Sequence, residues 1–215
     1  MIDVVQKENN KQEFLKLLEG LQREGVDKDG LWKQLTKSDF FEAPASARGP
    51  LACPGGLCAH SLNVYYSLKA LINTWGGAIP VSELPSDDSI LIVGLFSAWS
   101  RMNKYDVTYR NVKRYYPGGK RQDENGAFDW ESVKDYAVKA PEERLIYGDE
   151  GANTVFMLRT YVPLSLDESA ALLHSHNTEA DNGKDTLSVY YKYPLAALLR
   201  MAVMFANFLL DKQLG

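Results

Sequence analysis

The sequence predicts a mainly α-helical domain that carries one β-hairpin as an insert. Across most of the chain, apolar residues recur three or four positions apart, which is typical of amphipathic helices. Residues 105–138 differ, because two β-branched and aromatic runs there flank the turn PGGKRQDENG. With 215 residues, of which 45% are hydrophobic, the chain can bury one substantial core, and no linker divides it. We therefore expect one domain over residues 1–215.

The predicted helices follow in chain order. Apolar spacing and helix-ending residues place them within residues 14–25, 31–38, 57–75, 89–102, 153–161, 167–174 and 194–211. The segment 89–102 is apolar on nearly every side, so we expect it in the centre of the domain. The polar segment NTEADNGKD, between the last two helices, predicts a loop.

Composition argues against several classes of protein. A net charge of −4 and a pI near 5.5 disfavour a surface for duplex nucleic acid. The sequence shows neither an apolar run of membrane-spanning length nor a signal peptide, so we expect no membrane partner and a cytoplasmic location. Cys53 and Cys58 are the only cysteines, and we expect both as reduced thiols in that compartment.

The stretch from Phe40 to Asn73 organises the chain. Its first part is a loop with three prolines that ends in two consecutive glycines, and these residues give the loop a defined shape. Helical spacing then places His60 on the inward face of the next helix, beside the loop residues Ser46 and Arg48. A lone histidine on an apolar face is more often a core residue than a ligand, but the shaped loop in front of it favours a site.

Two motifs in this stretch carry a family resemblance. Residues 44–46 are PAS, and residues 55–63 are GGLCAHSLN. This loop and helix start resemble a phage and bacterial branch of the HD superfamily of metal-dependent phosphohydrolases. The resemblance covers the chain from about Gln34 to its C-terminus and implies an HD-domain-like helical bundle. It also implies a location in the cytosol of a bacterium or of a phage-infected host.

The resemblance implies a divalent metal that this sequence is not equipped to hold. Members of the family ligate it with a histidine, an adjacent His-Asp pair and a late aspartate, and the metal activates a water. Here Ser97 and Ala98 stand at the pair, and Val203 stands at the late aspartate. His60 is the one expected ligand that is plainly present. We therefore expect no metal or other cofactor and no metal-dependent catalysis.

Cations stand near the vacated ligand positions. Arg200 replaces a family histidine and Arg101 replaces a family lysine, and a guanidinium suits two phosphate oxygens. The alternative for each arginine is an ion pair with an acidic residue. Tyrosines and asparagines near these positions can stack on a base or recognise its edges. The candidate ligand-binding residues are Arg48, His60, Ser97, Arg101, Asn103, Tyr105, Arg110, Tyr147, His174, His176 and Arg200.

These observations predict a catalytically inactive, HD-like protein that binds a phosphorylated nucleotide-type small molecule. The family resemblance suggests a phage anti-defence sponge that sequesters a nucleotide second messenger of bacterial immunity. One alternative that the sequence leaves open is a metal-dependent phosphohydrolase, with a metal site rebuilt from His60, His174, His176 and Asp149. A pseudoenzyme scaffold that binds a protein partner through the hairpin also stays open. The helical surface permits a homodimer.

Overall fold

A computed structural model of the chain describes residues 2–144, 148–176 and 183–214, and for residues 183–186 it describes the backbone alone. The helices are α1 Val4–Glu19, α2 Lys28–Lys37, α3 Gly56–Trp75, α4 Asp87–Phe96, α5 Glu150–Leu158, α6 Leu166–His174, α7 Gly183–Lys192, α8 Pro194–Phe205 and α9 Asp211–Leu214. A π-helical turn, Ala206–Leu210, joins α8 to α9. The mainly helical prediction is confirmed.

Local sequence explains where several helices begin. Asp149 accepts a hydrogen bond from the backbone N–H of Ala152 at 2.9 Å and so caps α5. Ser165 and Glu168 form a reciprocal capping box at the start of α6. Gly55 precedes α3 with a φ of 78°, a left-handed conformation that favours glycine. The two glycines at the start of α3 therefore allow the chain to turn sharply from the proline-containing loop into the helix.

The insert is a small antiparallel sheet. Its strands are β1 Tyr105–Tyr115, β2 Arg121–Asp123 and β3 Gly126–Val138, in the spatial order β1-β3-β2. In the long pair Tyr105 lies opposite Val138, and Tyr115 lies opposite Phe128. The predicted hairpin over 105–138 is therefore confirmed, with a short third strand added by the turn segment.

The core lies between α1, α3, α4 and α8. Every residue of α4 from Ile90 to Phe96 is buried, as its all-round apolar sequence predicted. Phe14 packs edge-on against Phe96 with ring centroids 5.8 Å apart, and the ring centroids of Phe40 and Trp99 also lie 5.8 Å apart. These aromatic pairs fasten the N-terminal segment and the loop that follows α2 to the central helix.

The central helix ends earlier than the spacing predicted. α4 stops at Phe96, and a 3-10 turn, Trp99–Arg101, replaces its last residues. The backbone N–H of Ser100 donates to Thr154 Oγ1 at 3.3 Å, so a side chain from α5 supplies the acceptor that a continuing helix would have supplied. Arg101 is the last residue of this 3-10 turn and belongs to the site described below.

The C-terminal part departs from prediction in two respects. α7 includes the last residues of the segment NTEADNGKD, which was predicted as a loop; residues 177–182 lie outside the described residues. The continuous helical segment Pro194–Leu214 is long and apolar enough to cross a membrane, although 44% of its apolar 18-residue window is buried in the protein. Leu198, Leu199 and Ala202 are buried in the core, so this face packs as a core helix does.

Candidate functional site

A buried polar pair ties α3 to α9. His60 is 0% exposed, as helical spacing predicted, and its Nδ1 lies 2.8 Å from Asp211 Oδ2. Asn63, one turn further along α3, donates to Asp211 Oδ1, also at 2.8 Å. Asp211 escaped the sequence analysis. The signal that singles it out is an acidic residue directly after the uncharged run 201–210.

Arg101 lies in a second, partly buried cluster, in which the side chains of Arg101 and Glu150 are 13% and 20% exposed. Its Nε donates to Glu150 Oε1 at 2.6 Å, and one terminal amino group donates to the carbonyl oxygen of Ala45 at 2.9 Å. Its other amino group lies 3.3 Å from His176 Nδ1. Lys104 Nζ donates to Glu150 Oε2 at 3.0 Å. The ion pair that sequence analysis weighed as the alternative is thus present for this arginine.

Burial and neighbouring charges fix the protonation of this cluster. Burial would raise the pKa of Glu150, but Arg101 and Lys104 outweigh that effect and hold the pKa far below its ordinary value. Burial lowers the pKa of His176 to about 3, so the ring is neutral at physiological pH. His176 Nε2 donates to the carbonyl oxygen of Ser97 at 3.1 Å, which leaves Nδ1 as the acceptor for Arg101.

Arg101 also positions the proline-containing loop. The Ala45 carbonyl that it binds lies in the PAS motif, and the Ala45 N–H donates to Leu51 O at 3.0 Å across the loop. Gly56 lies against the same turn, because a Cβ there would sit 2.2 Å from Leu51 O. The loop that carries Arg48 is therefore held in place by Arg101 and by the start of α3.

A basic, solvent-accessible pocket lies where this loop meets the hairpin. It measures about 480 Å³ and is lined by Arg48, Gly49, Ala52, Arg110, Lys134 and Asp135. Arg48 comes from the loop and is exposed, whereas Arg110 comes from β1. Arg110 Nε lies 2.8 Å from Asp135 Oδ2 on the paired strand. The structure thus brings together two candidate residues that the sequence places 62 positions apart.

The remaining candidates occupy other places. Ser97 is fully buried, and its hydroxyl donates to the Gly94 carbonyl oxygen at 3.4 Å. Arg200 donates to the Ser175 carbonyl oxygen at 3.1 Å. Tyr147 lies outside the described residues.

Two further candidates sit at the end of the central segment. Asn103 has a φ of 53°, and its N–H donates to Asp39 Oδ1 at 2.6 Å. Asn103 also lines a polar cavity of about 40 Å³ beside Lys104 and Glu150. Tyr105 is half-buried at the start of β1, and burial raises the pKa of its hydroxyl. His174 is half-buried at the end of α6.

The histidines and carboxylates do not form a metal-binding group in the described part of the chain. Within residues 2–144, 148–176 and 183–214, no three His, Cys, Asp or Glu side chains are placed to hold one ion. Asp149, a proposed ligand of the rebuilt site, uses its carboxylate to cap α5. His60 uses Nδ1 for Asp211. The thiols of Cys53 and Cys58 are free and buried.

No protein-family model matches this chain, and neither does any curated protein or solved structure. The resemblance to the HD superfamily therefore stays a prediction from the loop and helix motifs.

Proposed function

We propose that the protein binds a phosphorylated, nucleotide-like small molecule in the pocket between the proline-containing loop and the hairpin. The observation that carries this proposal is the convergence of Arg48 and Arg110 on one solvent-accessible pocket of about 480 Å³. Small-molecule sites typically measure roughly 300–1,000 Å³. A pocket of this size with two guanidinium groups suits a small, multiply charged anion.

The chemistry of the two arginines favours phosphate. A guanidinium stays charged at physiological pH and presents N–H donors in a planar fork that matches two phosphate oxygens. Asp135 engages Arg110 through Nε and so orients it, and with five N–H donors the group keeps others for a ligand. Arg48 comes from the loop and also lines the pocket, so the two cations can bind one phosphate group or two neighbouring ones.

The proposal gives Arg101 a supporting role. Arg101 and Arg200 were predicted to hold the ligand phosphates, but the guanidinium of Arg101 contacts Glu150, Ala45 and His176. These contacts hold the loop three residues before Arg48. Arg101 then acts as a positioning residue that keeps Arg48 facing the pocket.

The pocket residues favour binding over turnover. Hydrolysis of a phosphate ester needs an activated water, which a metal or a general base supplies. Among the described residues that line the pocket, Asp135 is the one carboxylate, and it is paired with Arg110. We therefore propose an inactive member of the HD-type bundles that sequesters its ligand, and a sponge for a nucleotide second messenger during phage infection is the role that fits.

The test is capture of ligand from a mixture. Purified protein is incubated with a deproteinised extract of phage-infected bacteria, washed and denatured, and the released small molecules are identified by mass spectrometry. We expect the wild type to enrich one phosphorylated species and the double variant Arg48→Ala/Arg110→Ala to lose that enrichment. Arg114→Ala is the matched control, because Arg114 lies on the same strand and pairs with Glu131 as Arg110 pairs with Asp135. Equal enrichment by the wild type and the double variant would contradict the proposal.

A further inference from the structure

A second surface, distinct in chemistry from the basic pocket, covers one side of α3 and the C-terminal helix. Six large apolar residues on it are each between 41% and 60% exposed. They are Tyr66, Met201, Met204, Phe205, Phe208 and Leu209. Residues 201, 204, 205 and 208 recur at helical spacing and so share one face. We call this set the α3–α8 face.

The α3–α8 face contains both a groove and a projecting side chain. The groove measures about 340 Å³, and its lining comes from α3 and from Phe205 and Leu210. Leu71 and Thr74 form its α3 side. Phe208 lies between the two C-terminal lining residues in the chain and is 60% exposed. A face that carries both a groove and a projecting aromatic ring can complement itself about a two-fold axis.

The area of the face matches one half of a dimer interface. If each large side chain offers about 200 Å² when fully exposed, these six half-exposed residues present roughly 600 Å². The largest apolar patch on a typical monomer is about 300–600 Å², and a standard interface buries about 800 Å² on each partner. The α3–α8 face thus reaches the upper end of the first range and approaches the second value.

The charge pattern indicates which partner covers the face. The C-terminal part of the face, residues 201–210, contains no charged side chain, so this part of two copies can meet without like-charge repulsion. Homodimer interfaces are also more apolar than those of transient complexes. A helix that lies on a membrane surface instead turns a basic polar face to the headgroups, whereas the opposite face here, with Leu198, Leu199 and Ala202, is the protein core.

We propose that the α3–α8 face pairs with the same face of a second copy of this chain, with each Phe208 entering the groove of its partner. This proposal does not depend on the nucleotide-binding function, because no residue of the basic pocket takes part in it.

Sedimentation velocity on the full chain tests the pairing. We expect the wild type at micromolar concentration to sediment at twice its 24.1 kDa chain mass. Phe208→Arg should shift it to the monomer by weakening association at least tenfold, because a guanidinium would be buried in an apolar groove. Met204→Lys is a second variant on the same face in case the first folds poorly. Phe156→Arg is the matched control, because Phe156 is 71% exposed and lies on α5.

The outcomes show whether a second copy of the chain or a membrane covers the face. A wild type that sediments at 24.1 kDa would overturn the proposal, and so would a dimer that survives both Phe208→Arg and Met204→Lys. Dissociation by Phe156→Arg alone would move the interface to α5 and overturn it equally. Flotation of the wild type, but not of Phe208→Arg, with vesicles of phosphatidylcholine and phosphatidylglycerol would assign the face to a membrane instead.

Discussion

His60 Nδ1 lies 2.8 Å from Asp211 Oδ2, and this contact joins the first turn of α3 to the last helix across 151 residues of sequence. Asn63 engages the other carboxylate oxygen of Asp211, so α3 supplies two partners for one buried acid. Both His60 and Asp211 are shielded from water. Because buried polar groups are costly when a partner is lost, the contact makes the end of the chain part of the folding unit.

Asp211→Ala should lower the free energy of unfolding by roughly 3–5 kcal/mol, because it leaves the buried His60 and Asn63 without their acceptor. Urea unfolding followed by circular dichroism measures this. The control is Asp106→Ala, since Asp106 is exposed and lies 3.6 Å from Lys139, and an exposed pair contributes at most about 1 kcal/mol. Equal losses in the two variants would show that the buried contact does not stabilise the fold.

Arg101→Ala should lower the free energy of unfolding by roughly 1–3 kcal/mol, because Glu150 keeps only Lys104 as a partner and the Ala45 carbonyl oxygen loses its donor. Hydrogen exchange should also accelerate in residues 44–54, since the loop loses its anchor. Arg114→Ala on the hairpin should change neither quantity appreciably, because its pair with Glu131 is exposed. Unchanged loop exchange in Arg101→Ala would remove the positioning role from this arginine.

His176 predicts a pH dependence of stability. Its pKa falls from 6.5 in the unfolded chain to about 3 in the fold, so the unfolded chain binds more protons between these values. The stabilisation is complete above pH 6.5 and declines by about 2 kcal/mol as the pH falls from 6.5 to about 5. In His176→Gln the free energy of unfolding should depend less steeply on pH over that interval, by a slope that corresponds to about one proton. Parallel curves for the two proteins, from urea titrations at each pH, would contradict this assignment.

More of the fold than of the site could be predicted, because the sequence patterns that indicate helices and strands are local. The apolar spacing of α3 and α4 and the alternating runs of the hairpin each lie within one segment of sequence. Even so, the early end of α4 was missed, since it depends on the acceptor that Thr154 supplies from a distant helix. The prediction missed α7 for a different reason, because the polar residues at its start are typical of a loop.

The candidate site depends on partners that are distant in sequence. Arg101 was identified as a site residue, but Glu150, which determines its role, lies 49 positions away. Asp211 has no local signal except its place after an uncharged run. Arg48 and Arg110 were both named, yet only the folded chain shows that they share a pocket with Asp135. Motif spacing identifies which residues could bind a ligand. Whether an ion pair already occupies such a residue depends on tertiary contacts.

A bound nucleotide should be recovered intact. We expect protein incubated with a nucleotide and manganese to release the same nucleotide on heating, because the described pocket residues offer no free general base. A chelator should leave the melting temperature unchanged, since the fold is held by side-chain pairs such as His60 with Asp211. Liquid chromatography of the released material and thermal melts provide the readouts. Many turnovers per chain would favour the phosphohydrolase alternative.

The most direct measurement is calorimetric titration of the wild type, Arg48→Ala/Arg110→Ala and Arg114→Ala with pyrophosphate, adenosine diphosphate and a cyclic dinucleotide. Each pocket arginine should contribute at least about 1.4 kcal/mol, which is tenfold in affinity, so the double variant should bind at least about a hundredfold more weakly. The wild type and Arg114→Ala should bind the preferred nucleotide equally, with one ligand per chain. Equal affinity in the double variant, or no binding of any of the three compounds by the wild type, would contradict the account.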